Sequence, residues 1–406
     1  MAMPLKIGLL VNAMIGPGIG TGPGQEGYEV AKGLLERNVL GKVFCFSVTD
    51  DCDLPADKVA PYCRTWLKQR ALGVLNRIHR RYPAVRGRRR IEQWMDASFA
   101  RMLTREAGDV LYCPKPLYPR TIRRARELGI RVVVETSVLH PRFNLDVVSA
   151  ERDRLGIRGA AGYTDEQRVR NIEAALQECD RIFAWNAFVR DSYVKYGVPE
   201  NKFLGGGEFA PPGIDTVRFS PDATRQDATF TVLHVSSISI IKGVQYLLDA
   251  WESLADEIEG RLLIVGPADR DMRRLLAKRK IRNSEWVGRA RDPVAYYRQA
   301  SVFVSPSISD AGPRTVLESM ACGVPAIVSD HCGVSRSITQ GDNGFVYHYD
   351  DVAELASLIR WSCNNREQLR DMGKRARATV QGYSVMNYSG EIEQRIAAVA
   401  EAVQGA

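Results

Sequence analysis

The chain has 406 residues, with 56 Lys and Arg against 48 Asp and Glu, a formal net charge of +8. At ~150 residues per domain this length points to two or three domains. A hydrophobic share of 45% with 26% charged residues excludes a disordered, collagenous or disulfide-stapled chain. No run approaches the ~20 apolar residues of a membrane span. The start, Met1 to Gly8, leads into an apolar run without the features of a secretion signal, so a cytoplasmic protein is expected.

Short β-rich runs alternate with longer helical patterns. Strands are expected in the first half at Leu5–Val11, Gly41–Ser47, Asp109–Cys113, Arg131–Glu135 and Arg181–Trp185. After the first comes a glycine cluster, Gly16-Pro-Gly-Ile-Gly-Thr-Gly-Pro-Gly24, then a helix to about Arg37. Glycines such as Gly18 and Gly20 let a backbone approach a ligand, and a helix N-terminus favours anions. The loop is too long for a dinucleotide fingerprint, and a purely structural turn fits it equally well.

The positive surplus sits in one place. From Val59 to Ile91 there is no acidic residue, but there are nine Arg and Lys68; elsewhere 46 basic residues face 48 acidic ones. Leu67, Ala71, Val74, Leu75 and Ile78 share one helical face beside Trp66, with Arg64, Lys68, Arg77 and Arg81 elsewhere on the helix. This amphipathic basic pattern suits an anionic membrane surface or an anionic acceptor, giving a peripheral membrane protein; a solvated charged face is the plainer alternative. A nucleic-acid protein shows a broader basic face, so no nucleic acid is expected.

Further along, Val134-Glu-Thr-Ser-Val-Leu-His-Pro-Arg-Phe-Asn144 follows a strand directly. Loops at the carboxyl ends of parallel strands hold ligands in open α/β sheets, which makes His140 a candidate, with Glu135 beside it. A neutral imidazole there orients a hydroxyl; a capping or packing histidine is the plainer alternative. The other histidines (79, 234, 331 and 348) show no ligand spacing, so no zinc site is expected. Eight scattered cysteines without a C-x-x-C pair read as buried free thiols.

Glycines and prolines at 205–213 mark the expected domain boundary. Beyond it, strands are expected at Phe230–Val235, Arg261–Val265, Ser284–Val287, Val302–Ser305, Ala326–Ser329 and Gly344–Tyr347. Continuous apolar strands between helices argue a parallel sheet covered on both faces, and two such series imply two doubly wound α/β domains. A final helix with Tyr388, Ile392, Ile396 and Val399 on one stripe must pack on something. The most specific segment is Ser305 to Val328, read as strand, loop, helix and strand. Asp310 lies in its loop and Glu318 eight residues on, in the helix. Acceptor-only carboxylates suit paired sugar hydroxyls, and the free N–H groups around Gly312, Pro313, Arg314 and Thr315, of which Pro313 itself has none, would point a helix start at a phosphate.

This segment resembles the E-x7-E region of retaining glycosyltransferases of the GT-B fold, in the GT4 family (glycosyl transferases group 1). Pro212-Gly-Ile-Asp-Thr-Val-Arg-Phe-Ser-Pro221 is similar to that family's interdomain P-x-G-V-D-x-x-x-F-x-P stretch, and Ser236-Ser-Ile-Ser-Ile-Ile-Lys-Gly243 to its G-R-L-x-x-x-K-G. Gly288 and Asn343-Gly-Phe fall where the family has them. The resemblance implies two Rossmann-like domains facing a cleft: residues 1–210 for the acceptor, 211–384 for the nucleotide-sugar donor, and a 385–406 helix returning to the first.

Carried over by position, Glu318 would hold the donor ribose, Asp310 the transferred sugar and Lys242 the diphosphate. His140 would lie near the acceptor hydroxyl. Asp310 stands where the family has Glu, one methylene longer. Ser237 stands where it has the second phosphate-binding cation, which leaves Arg314 or Arg289 to supply one. The implied function is sugar transfer from a UDP or GDP donor to a glycan or lipid-linked acceptor, as in cell-envelope synthesis, with retention at the anomeric carbon and no metal or further cofactor. A catalytically silent nucleotide-sugar-binding protein is the alternative. The chain lacks the glycine fingerprint of a nicotinamide oxidoreductase, a reading that would also leave Asp310 and Glu318 unexplained.

Overall fold

The computed structural model describes residues 5–17, 23–62, 84–115, 117–158, 165–204, 213–222, 229–254, 256–277, 279–383 and 390–397. Strands β1 (Ile7–Ile15), β2 (Leu40–Val48), β3 (Val59–Pro61), β4 (Val110–Cys113), β5 (Arg131–Thr136) and β6 (Arg181–Ala184) form one sheet in the order β3-β2-β1-β4-β5-β6. The second sheet holds β7 (Phe230–Val235), β8 (Gly260–Val265), β9 (Ser284–Gly288), β10 (Val302–Ser305), β11 (Ala326–Ser329) and β12 (Gly344–Tyr347), in the order β12-β11-β10-β7-β8-β9. Neighbouring strands pair in parallel throughout. Numbered from its own first strand, each sheet runs 3-2-1-4-5-6 and reverses between its first and fourth strands. Open α/β sheets bind ligands at that reversal.

The chain divides into two compact units. The first takes Met1–Asp146, Gly159–Ala210 and Val385–Ala406, the second Val147–Arg158 and Pro211–Ser384. Helices of the first are α1 (Pro23–Glu36), α2 (Ala84–Met102), α3 (Pro119–Glu127), the start of α4 (Pro141–Arg154), α5 (Glu166–Glu178) and α6 (Ala187–Lys195). The second has α7 (Val244–Leu254), α8 (Arg270–Leu276), α9 (Val294–Gln299), α10 (Arg314–Ala321), α11 (Val352–Asn364) and α12 (Arg366–Val380).

Central strands are buried along their whole length, as β10 and β11 are, because helices cover both faces. Helix α7 buries Val244, Leu247, Leu248, Trp251 and Leu254 in the second core, with the Trp251 indole donating to the Arg282 carbonyl at 3.0 Å. Residues 147–158, expected with the N-terminal domain, group with the second unit. Val148 joins its apolar core, and buried Glu151 accepts from Gln245 Nε2 and Tyr246 Oη, each at 2.8 Å. A helix with one unbroken pattern shows no sequence break at the point where it changes units.

Residues 390–397 are helical, and Ile392 and Ile396 sit in the first unit's core. Arg395 lies over the Phe183 ring at 4.5 Å, and Glu393 pairs with Arg37 at 3.0 Å. Tyr388 and Val399 lie outside the described residues. In the basic stretch, Val59–Pro61 is an edge strand. Val59 and Ala60 are buried against β2, and Pro61 is tolerated because an edge strand leaves one side without a ladder partner. Residues 63–83, which include the whole expected amphipathic face, lie outside the described residues, as do Gly18 and Gly20. Seven described cysteines are unpaired. No helix among the described residues is long and apolar enough to cross a membrane.

Candidate functional site

At the reversal of the second sheet, two loops leave the carboxyl ends of adjacent strands β7 and β10. The first turns at Gly243, whose φ is +66°, and a Cβ there would lie 1.7 Å from the Pro306 carbonyl oxygen. Only glycine allows this approach. With the loops in contact, the Ile308 amide donates to the Ile241 carbonyl at 3.0 Å, and Lys242 Nζ pairs with Asp310 Oδ2. The loop after β11 fixes Asp310 from behind: its amide donates to the His331 carbonyl at 3.0 Å, and its carbonyl accepts from Gly333 at 2.8 Å. The Gly312 amide donates to Asp310 Oδ1 at 3.3 Å, and Pro313 is the N-cap of α10.

Glu318 projects from α10 and is 5% exposed. Burial pushes its carboxyl above the ordinary range, while the Tyr297 hydroxyl and the charges of Arg314 and Arg218 act the other way. Tyr297, fully buried on α9, donates to Glu318 Oε2 at 2.8 Å. No local pattern marks Tyr297 as part of a site, since its partner is 21 residues away. Arg314 also donates to the Gly213 carbonyl at 2.9 Å. Ser237 and Arg289 are both exposed, after β7 and β9. The structure thus joins the Lys242 cation to the Asp310 carboxylate, with Glu318 held separately by Tyr297 on the helix that follows.

In the first unit, His140 precedes α4 and is 1% exposed. Its ring stacks on Tyr196 with centroids 4.8 Å apart and meets Tyr193 edge-on at 5.0 Å. Its backbone amide donates to Ser192 Oγ at 3.0 Å, and its Nδ1 accepts the Arg142 amide at 3.2 Å. The ring proton is therefore assigned to Nε2. Burial lowers the imidazole from its ordinary value to about 4, so it is neutral at physiological pH. His140 is both a cap for α4 and a neutral Nε2–H donor. Glu135 accepts from the Trp185 indole. Among the described residues no group of three or more His, Cys, Asp and Glu side chains is placed to hold a metal ion.

Residues 218–379, within the second unit, match the family model for glycosyl transferases group 1. The chain is 30% identical over 200 residues to the D-inositol 3-phosphate glycosyltransferase of Pseudarthrobacter chlorophenolicus, covering 44% of this chain and 47% of that protein. It spans just under half the length of the curated relatives it matches. Among solved structures, sucrose-phosphate synthase from Thermosynechococcus elongatus superposes with a TM-score of 0.66 at 17% identity, covering 98% of this chain and all of that one. Anabaena HepE, solved in complex with UDP-glucose, gives 0.66 at 16% identity, covering 97% of this chain and all of that one. Residues 218–379 thus belong to the group 1 glycosyl transferases, carried in a chain of two doubly wound units with the GT-B fold.

Proposed function

We propose that this chain transfers a sugar from a nucleoside-diphosphate donor, UDP or GDP, to a hydroxyl of a glycan or lipid-linked acceptor, with retention at the anomeric carbon. The observation that carries the reading is the joining of Lys242 and Asp310 at the reversal of the second sheet, close in sequence to the buried Glu318. In this reading Glu318 accepts from the ribose hydroxyls while Tyr297 fixes its orientation. Lys242 has three N–H donors, so it holds Asp310 with one and the diphosphate with another. Arg314 or Arg289 supplies the second cation that Ser237 lacks. Asp310 accepts from hydroxyls of the transferred sugar, and His140 orients the acceptor hydroxyl through Nε2–H. The departing phosphate takes the acceptor's proton as the new bond forms on the same face, and the protein contributes positioning and charge stabilisation.

Residues 59–91 are proposed to meet an anionic carrier or membrane surface. A catalytically silent binding protein is the second reading, because Lys242 neutralises the carboxylate that would grip the sugar. A thermal-shift series with UDP, GDP, UDP-glucose and NAD separates these classes, since a nucleotide at 100 times its Kd stabilises by ~2.7 kcal/mol. Stabilisation by UDP or GDP with sugar release from the donor supports transfer. Stabilisation without turnover favours the silent reading, and stabilisation by NAD alone overturns both.

A further inference from the structure

Residues 147–158 belong to the second unit although α4 begins in the first. Glu151, in that part of α4, is 5% exposed. Its two oxygens take four donors. Oε1 accepts from Gln245 Nε2 at 2.8 Å and Arg154 Nη2 at 2.7 Å, and Oε2 from Tyr246 Oη at 2.8 Å and Arg154 Nε at 2.7 Å. Arg154 also lies over the Tyr246 ring, 4.9 Å from its centroid. A buried ion pair of this kind adds little net stability over an apolar replacement, yet it holds its partners in one arrangement. The partners from outside α4 are Gln245 and Tyr246, in the first turn of α7.

Lys242 lies just before that turn. Ile240–Lys242 is a single helical turn closed by the Gly243 amide, which donates to the Ile240 carbonyl at 3.0 Å. Gln245 Nε2 reaches back to the same carbonyl at 3.3 Å. One amide group therefore holds the turn that carries Lys242 and is itself held by Glu151. The Gln245 side-chain oxygen has no hydrogen-bond partner among the described residues, and Gln245 is 1% exposed. An unpaired oxygen in a core costs stability, so packing alone would be better served by an apolar side chain of the same length. Gln245 thus acts through its donors. Reversed, the amide would set its oxygen against the Glu151 carboxylate and the Ile240 carbonyl, so Glu151 decides which way it points. A second tie between residues 147–158 and the rest of the unit bypasses this turn, since buried Arg152 pairs with Asp271 on α8 at 2.6 Å.

We propose that Glu151 is a positioning residue for Lys242, acting through Gln245 on the turn at Ile240–Lys242. The placing of Lys242 follows from these contacts, and its use on a diphosphate rests on the transferase reading. The test uses the full chain and an amine-acetylating reagent, with the rate at Lys242 read by mass spectrometry. The variants are Glu151→Met, Gln245→Met, the two combined, and Arg152→Met, which cuts the second tie and leaves the turn alone. Thermal melting establishes that each is folded, and Gln245→Met decides alone should Glu151→Met not fold. An amine held against a carboxylate reacts slowly, so acetylation of Lys242 is expected to rise about threefold to tenfold in Glu151→Met and in Gln245→Met, the loss of one hydrogen bond. The combined variant is expected to match the larger single effect, because the two residues act in series, and Arg152→Met to stay within about twofold of wild type. Wild-type rates in both Glu151→Met and Gln245→Met, an equal rise in Arg152→Met, or additive effects in the combined variant would overturn it. UDP and GDP are titrated into the same proteins. A nucleotide that binds wild type is expected to weaken about threefold to tenfold in Glu151→Met and Gln245→Met but not in Arg152→Met. Should it bind all of them equally, the positioning role fails and the transferase reading stands. If acetylation follows the expected pattern and no nucleotide binds wild type, the positioning of Lys242 stands and the transferase reading fails.

Discussion

In both units the sheet reverses between its first and fourth strands, yet the side chains gathered near its carboxyl ends differ in kind. In the second unit the loops after β7 and β10 carry a cation and a carboxylate that pair directly, and a second carboxylate is buried on α10, the helix that follows β10. In the first, the histidine after β5 sits in a box of two tyrosines and is held neutral. One scaffold thus presents charge in one copy and neutral hydrogen-bonding groups in the other. The strand order fixes where a ligand sits, and the loops decide what it is. A charged donor and a neutral hydroxyl are the partners these two chemistries suit.

The largest expected effect comes from the glycine that makes the charged site possible. Gly243→Ala adds a Cβ 1.7 Å from a carbonyl oxygen at a left-handed φ, so a loss of ~3 kcal/mol or more in urea unfolding is expected, with loss of nucleotide binding. The first-unit control is Gly129→Ala. Its φ is +70° but its Cβ would meet nothing within 4 Å, so only the ~1–2 kcal/mol of a left-handed alanine is expected. Equal losses at the two positions would break the claim that close loop approach builds the second site.

Next in size, Glu318→Ala and Lys242→Ala are each expected to weaken donor binding tenfold or more, because a hydrogen bond to a charged group contributes ~1.5–3 kcal/mol. Tyr297→Phe, which keeps Glu318 but removes its donor, is expected to cost about threefold to tenfold in nucleotide affinity. Binding unchanged in this variant would mean that Tyr297 serves only the fold.

A pH series sharpens the first-unit side. The imidazole of His140 is lowered from about 6.5 in the unfolded chain to about 4 in the folded one. Between those values the unfolded state binds more protons, so folding stability rises with pH across the window and is lost as pH falls from 6.5 toward 4. His234, also lowered to about 4 by burial, contributes in the same direction from the second unit. Urea unfolding from pH 4 to 8 should show the slope in wild type and a shallower one in His140→Gln, with the His234 share retained. An unchanged slope would mean that His140 is solvated in the folded protein.

The second sheet is the more legible part of the sequence. Its strands at 230–235, 302–305, 326–329 and 344–347 fall on continuous apolar runs between helices, which parallel burial produces. Strand β3 is three residues long and shows no period, so it vanishes into the basic stretch beside it. The common 3-2-1-4-5-6 order leaves no internal sequence repeat, because topology constrains burial and turn positions rather than identities. Lys242, Asp310 and Glu318 are singled out by motif spacing, but their partnerships are not. Lys242 meets Asp310 across 68 residues, and Tyr297 meets Glu318 across 21. His140 shows as a residue after a strand, whereas its neutrality comes from Tyr193 and Tyr196, which fold against it from α6 and the residue that follows.

The central claim is that the charged loops of the second unit hold a nucleoside diphosphate. Isothermal titration of UDP and GDP into wild type, Glu318→Ala and Lys242→Ala tests it most directly. The account predicts saturable binding of at least one nucleotide to wild type, weakened tenfold or more in each variant. Equal affinity in all three proteins, or no binding of either nucleotide to wild type, would contradict it.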